Sequence, residues 1–162
     1  NMFRNEADCN ANGVDDDGNG YIDDCYGIDT ANGDSDPMDD FDHGTHVAGT
    51  IGAVGNNAIG IAGVNQNVKL MACKFISAAG FGYTSAAIAC LDYVKTMKDR
   101  GVNVVATSNS WGWDGGPSQA LYDAINTQMQ RGILFGNGVL VPTVPAIDLS
   151  HVVPGARRNV GI

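Results

Sequence analysis

Cations are scarce in this chain, with nine lysines and arginines against eighteen acidic groups in 162 residues. Nucleic acid is therefore not an expected partner, because a phosphate backbone is held by clustered positive charge. No apolar run approaches the roughly eighteen residues that a membrane span requires. The opening residues lack the charged, apolar and small-residue order of a signal peptide. The expectation is a soluble chain with no membrane partner, and its start at Asn1 suits a processed product or an excised fragment. No two of its four cysteines stand at the Cys-x-x-Cys spacing of zinc and redox motifs.

The acid that is present is local. Residues 1–42 carry thirteen acidic groups and one arginine, whereas the remainder carries five acidic and eight basic groups. A carboxylate cluster on a glycine-rich segment either attracts divalent cations or is simply a solvated loop. Within it, Asp15-Asp16-Asp17-Gly18-Asn19-Gly20-Tyr21-Ile22-Asp23-Asp24 alternates oxygen donors and has glycine at the sixth place, as a sharp calcium-binding turn requires. Asp15, Asp17 and Asn19 would present side chains, Tyr21 its carbonyl, and Asp23 or Asp24 the later ligand. Tyr26 stands at the twelfth place, where an EF-hand has glutamate, so the pattern is EF-hand-like only. Ca²⁺ is the cofactor expected.

Four cysteines allow three pairings. Cys9 and Cys25 bracket the acidic loop, and Cys73 and Cys90 fall on a predicted strand and the helix after it. The spacing suggests two local bridges, Cys9 to Cys25 and Cys73 to Cys90, formed in an oxidising, extracellular compartment. Buried free thiols are the alternative for the second pair.

From residue 43 onward, strand-like and helix-like patterns alternate, which is an α/β signature. A strand is predicted over Val68–Phe75, and a helix from Thr84 or Ser85 with Ala87, Ile88, Leu91, Val94 and Met97 on its buried stripe, ended by Gly101. A buried parallel strand is predicted over Val102–Ala106. A second helix is capped by Ser118, buries Leu121, Ala124, Ile125 and Met129, and stops at Gly132 before a strand over Ile133–Phe135. Short links between such elements imply a parallel sheet with helices on its faces and functional groups beyond the carboxyl ends of the strands.

The most informative stretch is Asp42-His43-Gly44-Thr45-His46-Val47-Ala48-Gly49-Thr50-Ile51. It sets an imidazole at the mouth of a helix whose small residues let it lie deep in a core with other backbone close against it. A histidine fixed at an element terminus serves as a general base or as a structural residue. A zinc reading of His43 and His46 is disfavoured, because metallopeptidase histidines stand four apart around a glutamate.

The string His-Gly-Thr-His-Val-Ala-Gly-Thr resembles the histidine box of the subtilisin-like serine peptidases. That resemblance implies an α/β three-layer sandwich with a mainly parallel sheet and helices on both faces. It makes His43 the triad base and His46 a buried helix residue. Gly80-Phe81-Gly82 and Ser110-Trp111-Gly112, the latter within Ser108-Asn109-Ser110-Trp111-Gly112, resemble the two strands that clamp an extended polypeptide substrate by backbone pairing. Gly136-Asn137-Gly138 resembles the segment whose asparagine, here Asn137, stabilises the oxyanion, although the small apolar residues that the family places before it are absent. Gly55-Asn56-Asn57-Ala58-Ile59-Gly60-Ile61 resembles a calcium loop with the carbonyls of Gly55, Ile59 and Ile61 and the side chain of Asn57 as donors.

The resemblance places the triad aspartate upstream of residue 1 and the nucleophilic serine in a Gly-Thr-Ser motif that this sequence does not contain. Residues 1–138 are expected to form part of a peptidase domain with an acidic insert over 1–42, and residues 139–162 to be an unmatched tail. The functional expectation is a secreted, monomeric serine endopeptidase domain present as a fragment. The alternative is a non-catalytic, calcium-dependent peptide-binding or structural module derived from such an enzyme.

Overall fold

The computed structural model describes residues 1–112 and 115–137. In chain order the elements are β1 (Gly27–Asp29), α1 (His43–Gly52), β2 (Ala72–Lys74), α2 (Thr84–Asp99), β3 (Ala106–Asn109), α3 (Gln119–Gln130) and β4 (Leu134–Asn137). A single 3₁₀ turn, Glu6–Asp8, precedes them in the acidic segment.

Helix α2 holds the molecule together because it is apolar on two sides. Tyr93, Val94 and Met97 are buried against Ile28 of β1 and Ile133, with Met71, Cys73, Val102 and Val104 packed around them. Leu91 is buried against Leu121 and Ile125 of α3, with Ile88, Trp111 and Phe135 alongside. Each large side chain buried in this way contributes about 1.5–3 kcal/mol. The helix ends as its sequence prescribes: Gly101 takes φ +98°, and the amides of Arg100, Gly101 and Val102 donate to the carbonyls of Thr96, Lys98 and Met97. The Ser118 hydroxyl caps α3 by accepting from the Leu121 amide at 3.3 Å.

Among the described residues four strands are parallel and form two pairs rather than one continuous sheet. β1 runs beside β2 with Ile28 opposite Cys73, and β3 beside β4 with Asn109 opposite Asn137. The strand expected over Val68–Phe75 narrows to Ala72–Lys74, because Leu70 already pairs with residues 1–3: its amide donates to the Asn1 carbonyl, and its carbonyl accepts from Phe3. The strand expected over Val102–Ala106 begins only at Ala106. Val102 and Val104 are spent packing on α2, and the Val104 amide donates to the Val102 carbonyl instead of to a ladder. Strand β1 has no counterpart in the sequence-based expectation, since three residues are too few to show a period.

Both disulfides are formed, Cys9 to Cys25 and Cys73 to Cys90. The second ties β2 to α2, and the first closes the acidic segment at its base. No helix among the described residues is long and apolar enough to cross a membrane.

Gly27 is the tightest point of the β1–β2 pairing. It has φ +134°, and a methyl group on its Cα would overlap the Ala72 carbonyl oxygen. Gly27→Ala should therefore lower stability by about 2–4 kcal/mol, the sum of backbone strain and overpacking. Gly13→Ala, at φ +77° but in open space, should cost only about 1 kcal/mol. Urea denaturation of the two variants checks the difference, and equal losses would contradict it.

Candidate active site

The histidine helix starts on a carboxylate. Asp39 accepts the Phe41 amide on one oxygen, at 3.0 Å, and the Thr45 amide on the other, at 2.6 Å. Burial opposes its charge, yet the Thr45 and Phe41 donors outweigh that and hold its carboxyl below the ordinary range. Asp42, at φ +70°, turns the chain into α1. His43 then stands exposed at the mouth of the helix. Only the last turns of α1 are covered, by Ile61 over Gly49 and by Val68 and Leu70 over Gly52. His46 is consequently exposed rather than buried as expected, because none of the described elements lies over its face of the helix.

The other candidate residues gather at the carboxyl ends of the strands. Just past β2, Phe75 makes an edge-to-face contact with Trp111, ring centroids 5.2 Å apart. Its carbonyl lies so close to Gly82 that a side chain there would collide with it. The carbonyl of Phe81 accepts from both the amide and the hydroxyl of Ser77, which fixes the 77–81 turn and leaves the Phe81 ring 78% exposed. Gly80 packs against the ring of Phe41, two residues before His43. The chain around His43, the 80–82 segment and Trp111 thus meet through two aromatic rings.

Below Trp111 a chain of hydrogen bonds sets the strand. Gln128 and Asn109 both donate to the Thr107 hydroxyl, at 2.8 and 2.9 Å; Asn109 also donates to the Gly136 carbonyl and accepts from the Trp111 indole at 3.3 Å. Ser110 is half-buried and Gly112 exposed beside it. Asn137 closes β4 opposite Asn109, while Gly138 and the 139–162 tail lie outside the described residues. Among the described residues no group hydrogen-bonds the His43 imidazole.

Behind this edge sits a buried ion pair. Lys74 Nζ lies 2.6 Å from Asp29 Oδ2 and 3.1 Å from Asp40, and the Lys74 and Asp29 side chains are only 8% and 1% exposed. Burial disfavours the charge on Asp29, but Lys74 and the amides of Asn32 and Ala31 outweigh it, so its carboxyl is held below the usual range. Burial likewise opposes the ammonium, and its two carboxylate partners raise Lys74 above its ordinary value.

The acidic segment folds around its own amides. Asp15 accepts the Gly20 amide at 2.8 Å and those of Gly18 and Asn19, which draws the loop into its turn and lowers the Asp15 pKa, the Gly20 bond most of all. Asp24 is fully buried and accepts from Asn5, Asn19 and the Tyr93 hydroxyl, at 2.6, 2.8 and 2.7 Å. Burial nevertheless pushes its carboxyl upward. The Tyr21 ring stands edge-on to Tyr93, Asn5 also donates to Asp17, and Asp23 turns the other way to accept the amides of Asn12 and Gly13. Asp8 is fully buried with one oxygen accepting from the Asp16 amide and the other unpartnered among the described residues. No three carboxylate, imidazole or thiol groups among the described residues converge on one point. The 55–62 loop wraps a shallow open depression, in which Asn57 turns its side-chain oxygen to the Ile59 amide while Ile59 and Ile61 project outward.

The subtilase family model matches residues 3–140. The chain belongs to the subtilase family. It is 42% identical over 112 residues to subtilisin-like protease 1 of Plasmodium berghei (strain Anka), covering 68% of this chain and 18% of that protein. It is 37% identical over 102 residues to the alkaline protease of Alkalihalobacillus alcalophilus, covering 63% and 25%, and 36% identical over 102 residues to subtilisin Savinase of Lederbergia lenta, covering 63% and 35%. The chain therefore spans between about a sixth and a third of the length of these curated relatives.

Several residues of this subtilase chain escaped sequence reasoning. Lys74 is a cation near the carboxyl end of an otherwise largely apolar strand, which is the one signal that could have marked it. Phe41 and Phe75 carry no motif of their own, and their part emerges only from contacts between distant segments; Asn109 lies within the candidate substrate-strand motif, but its bonds to Thr107, Gly136 and Trp111 could not be read from it. Asp29 supplies a test of the buried pair. Its folded pKa lies below the ordinary value of about 3.9, so its contribution is complete above that pH and is lost as pH falls through the folded value. Asp29→Asn should be less stable by about 2 kcal/mol at pH 7, with the gap narrowing in strongly acidic solution. Urea denaturation across pH 3–7 measures this, and a gap independent of pH would contradict it.

Proposed function

We propose that this chain is the central part of a secreted subtilisin-like serine endopeptidase domain that acts on extended polypeptides, folded in its complete form as a three-layer sandwich. The observation that carries this reading is the meeting of the His43 segment with both candidate substrate strands, through Phe41 on Gly80 and Phe75 on Trp111. In the reaction, a serine hydroxyl oxygen attacks the scissile carbonyl carbon while His43 takes its proton. The carbon–nitrogen bond then breaks as His43 returns the proton to the leaving amine, and water hydrolyses the acyl-enzyme by the reverse use of the same base. Asn137 donates to the developing oxyanion. Gly80, Phe81, Gly82, Ser110, Trp111 and Gly112 hold the substrate by strand pairing.

The second reading, a peptide-binding or structural module without catalysis, is favoured for the 162-residue chain by itself, since no described carboxylate orients His43 and Ser108 and Ser110 lie on the substrate strand. Losing a nucleophile costs about a millionfold in turnover, a magnitude measured in subtilisin itself. The purified chain should show little or no peptidase activity. Covalent labelling of one serine by a peptidyl phosphonate, abolished in His43→Ala, would overturn this and restore the enzymatic reading for the isolated chain.

Calcium is the cofactor of this reading. Asp15, Asp17, Asn19, the Tyr21 carbonyl and Asp23 or Asp24 would hold one ion, and Gly55, Asn57, Ile59 and Ile61 a second. The acidic segment fits a hard cation in that Asp8 keeps a buried carboxylate oxygen without a partner among the described residues and Asp24 is buried against the cost of its own desolvation. Carboxylates alone do not complete the set, so amide and carbonyl oxygens must contribute. A bound ion would offset the repulsion among these groups. Calcium at a hundred times its dissociation constant should stabilise the fold by about 2.7 kcal/mol, seen as a rise in melting temperature over excess chelator, and identical melting in both would reject calcium binding.

A further inference from the structure

We infer that Lys74, acting through Asp40, is a positioning residue that fixes the start of the histidine helix against the end of the sheet. The inference rests on the reading of His43 as the base, and Lys74 itself touches no reacting atom.

The physical case begins with Asp29, which cannot move. Its oxygens accept the amides of Ala31 and Asn32 and the Asn32 side chain at 2.8–2.9 Å, all within one turn at the end of β1. Lys74 stands opposite Asp29 in the β1–β2 register, so its ammonium is anchored from one side by a buried carboxylate. Its remaining donors reach Asp40 at 3.1 Å, a residue 41% exposed on a segment that belongs to neither strand. One residue earlier, Asp39 holds the amides of Phe41 and Thr45. The sheet end, the 39–42 segment and the first turn of α1 are thereby linked by ion pairs and hydrogen bonds that meet at the adjacent residues Asp39 and Asp40. Phe41, carried on that segment, is laid across Gly80.

Charge makes the tether necessary. Asp36, Asp39, Asp40 and Asp42 crowd seven residues of sequence, and like charges this close push the segment outward. The only cation among the described residues that pairs with any of the four is Lys74. An apolar residue in its place would leave Asp29 buried without a counter-charge and release Asp40. The segment would then be free to lift Phe41 off Gly80 and carry His43 away from the substrate strands.

Two variants test this on the whole chain. Asp40→Asn removes one end of the tether and keeps the Lys74–Asp29 pair, so it preserves the β1–β2 core. Lys74→Met removes the cation and changes the local charge in the opposite sense. If position is what Lys74 supplies, both variants should accelerate hydrogen exchange at the Thr45 and His46 amides about tenfold or more, with α3 amides unchanged. Both should also weaken the nuclear Overhauser contact between the Phe41 ring and Gly80, while that between Leu91 and Leu121 persists. Effects of opposite sign in the two variants would show charge rather than position and would overturn the inference. Unchanged exchange and an unchanged Phe41–Gly80 contact in Asp40→Asn would overturn it too, and this variant decides alone if Lys74→Met does not fold. These readouts need no turnover: their failure removes Lys74 from the site and leaves His43 as assigned. Serine labelling bears on whether the isolated chain is catalytic, and whichever way it falls the tether remains measurable.

Discussion

Burying carboxylates where cations are scarce is the constraint on which this structure depends. Asp8, Asp24 and Asp29 are all essentially inaccessible, and each must find donors or remain a cost to the fold. Asp29 takes the one buried lysine. Asp24 takes three neutral donors, two asparagines and a tyrosine, which satisfy its oxygens without matching its charge. Asp8 is satisfied on one oxygen only among the described residues. The three are solved in descending completeness.

Tyr93 shows how that constraint reaches the core. Its ring is completely buried between Ile28, Tyr21 and the α2 cluster, while its hydroxyl donates to Asp24. Burial and the Asp24 carboxylate together raise the pKa of that hydroxyl far above the ordinary tyrosine value, so it stays protonated and able to donate. Asn19 and Arg100 add further links, to Met97 and to the carbonyls of Asp17 and Gly18. The acidic loop is therefore seated on α2, the same helix that carries Cys90 and packs against both strand pairs. Whatever orders the loop acts on the scaffold beneath the candidate substrate edge.

Much of this was legible in the sequence wherever a signal was local. The α2 stripe from Ala87 to Met97, the Ser118 cap and the Gly101 stop stand close to where periodicity and capping put them, and the histidine helix forms where its small residues and motif put it. Both cysteine pairs close local loops, as their spacing suggested. What could not be read was set by partners far away in the chain. Leu70 is lost to β2 because residues 1–3 claim its backbone, and Val102 and Val104 leave β3 to pack on α2. The exposure of His46 depends on what lies over α1, which the helix sequence cannot report. Within the candidate site, His43 and the glycine-flanked strands carry motifs, whereas Phe41, Phe75 and Lys74 act through contacts that include segments 34 to 45 residues distant in sequence.

Both the catalytic and the non-catalytic readings require the ends of β2 and β3 to form a peptide-binding edge beside His43. Chemical-shift mapping with an uncharged extended peptide tests this requirement most directly. The account predicts saturable shifts at the amides of Gly80, Phe81, Gly82, Ser110 and Gly112 and at the Trp111 indole, with α3 and the acidic loop unmoved. Shifts confined to other surfaces, or none at millimolar peptide, would contradict it.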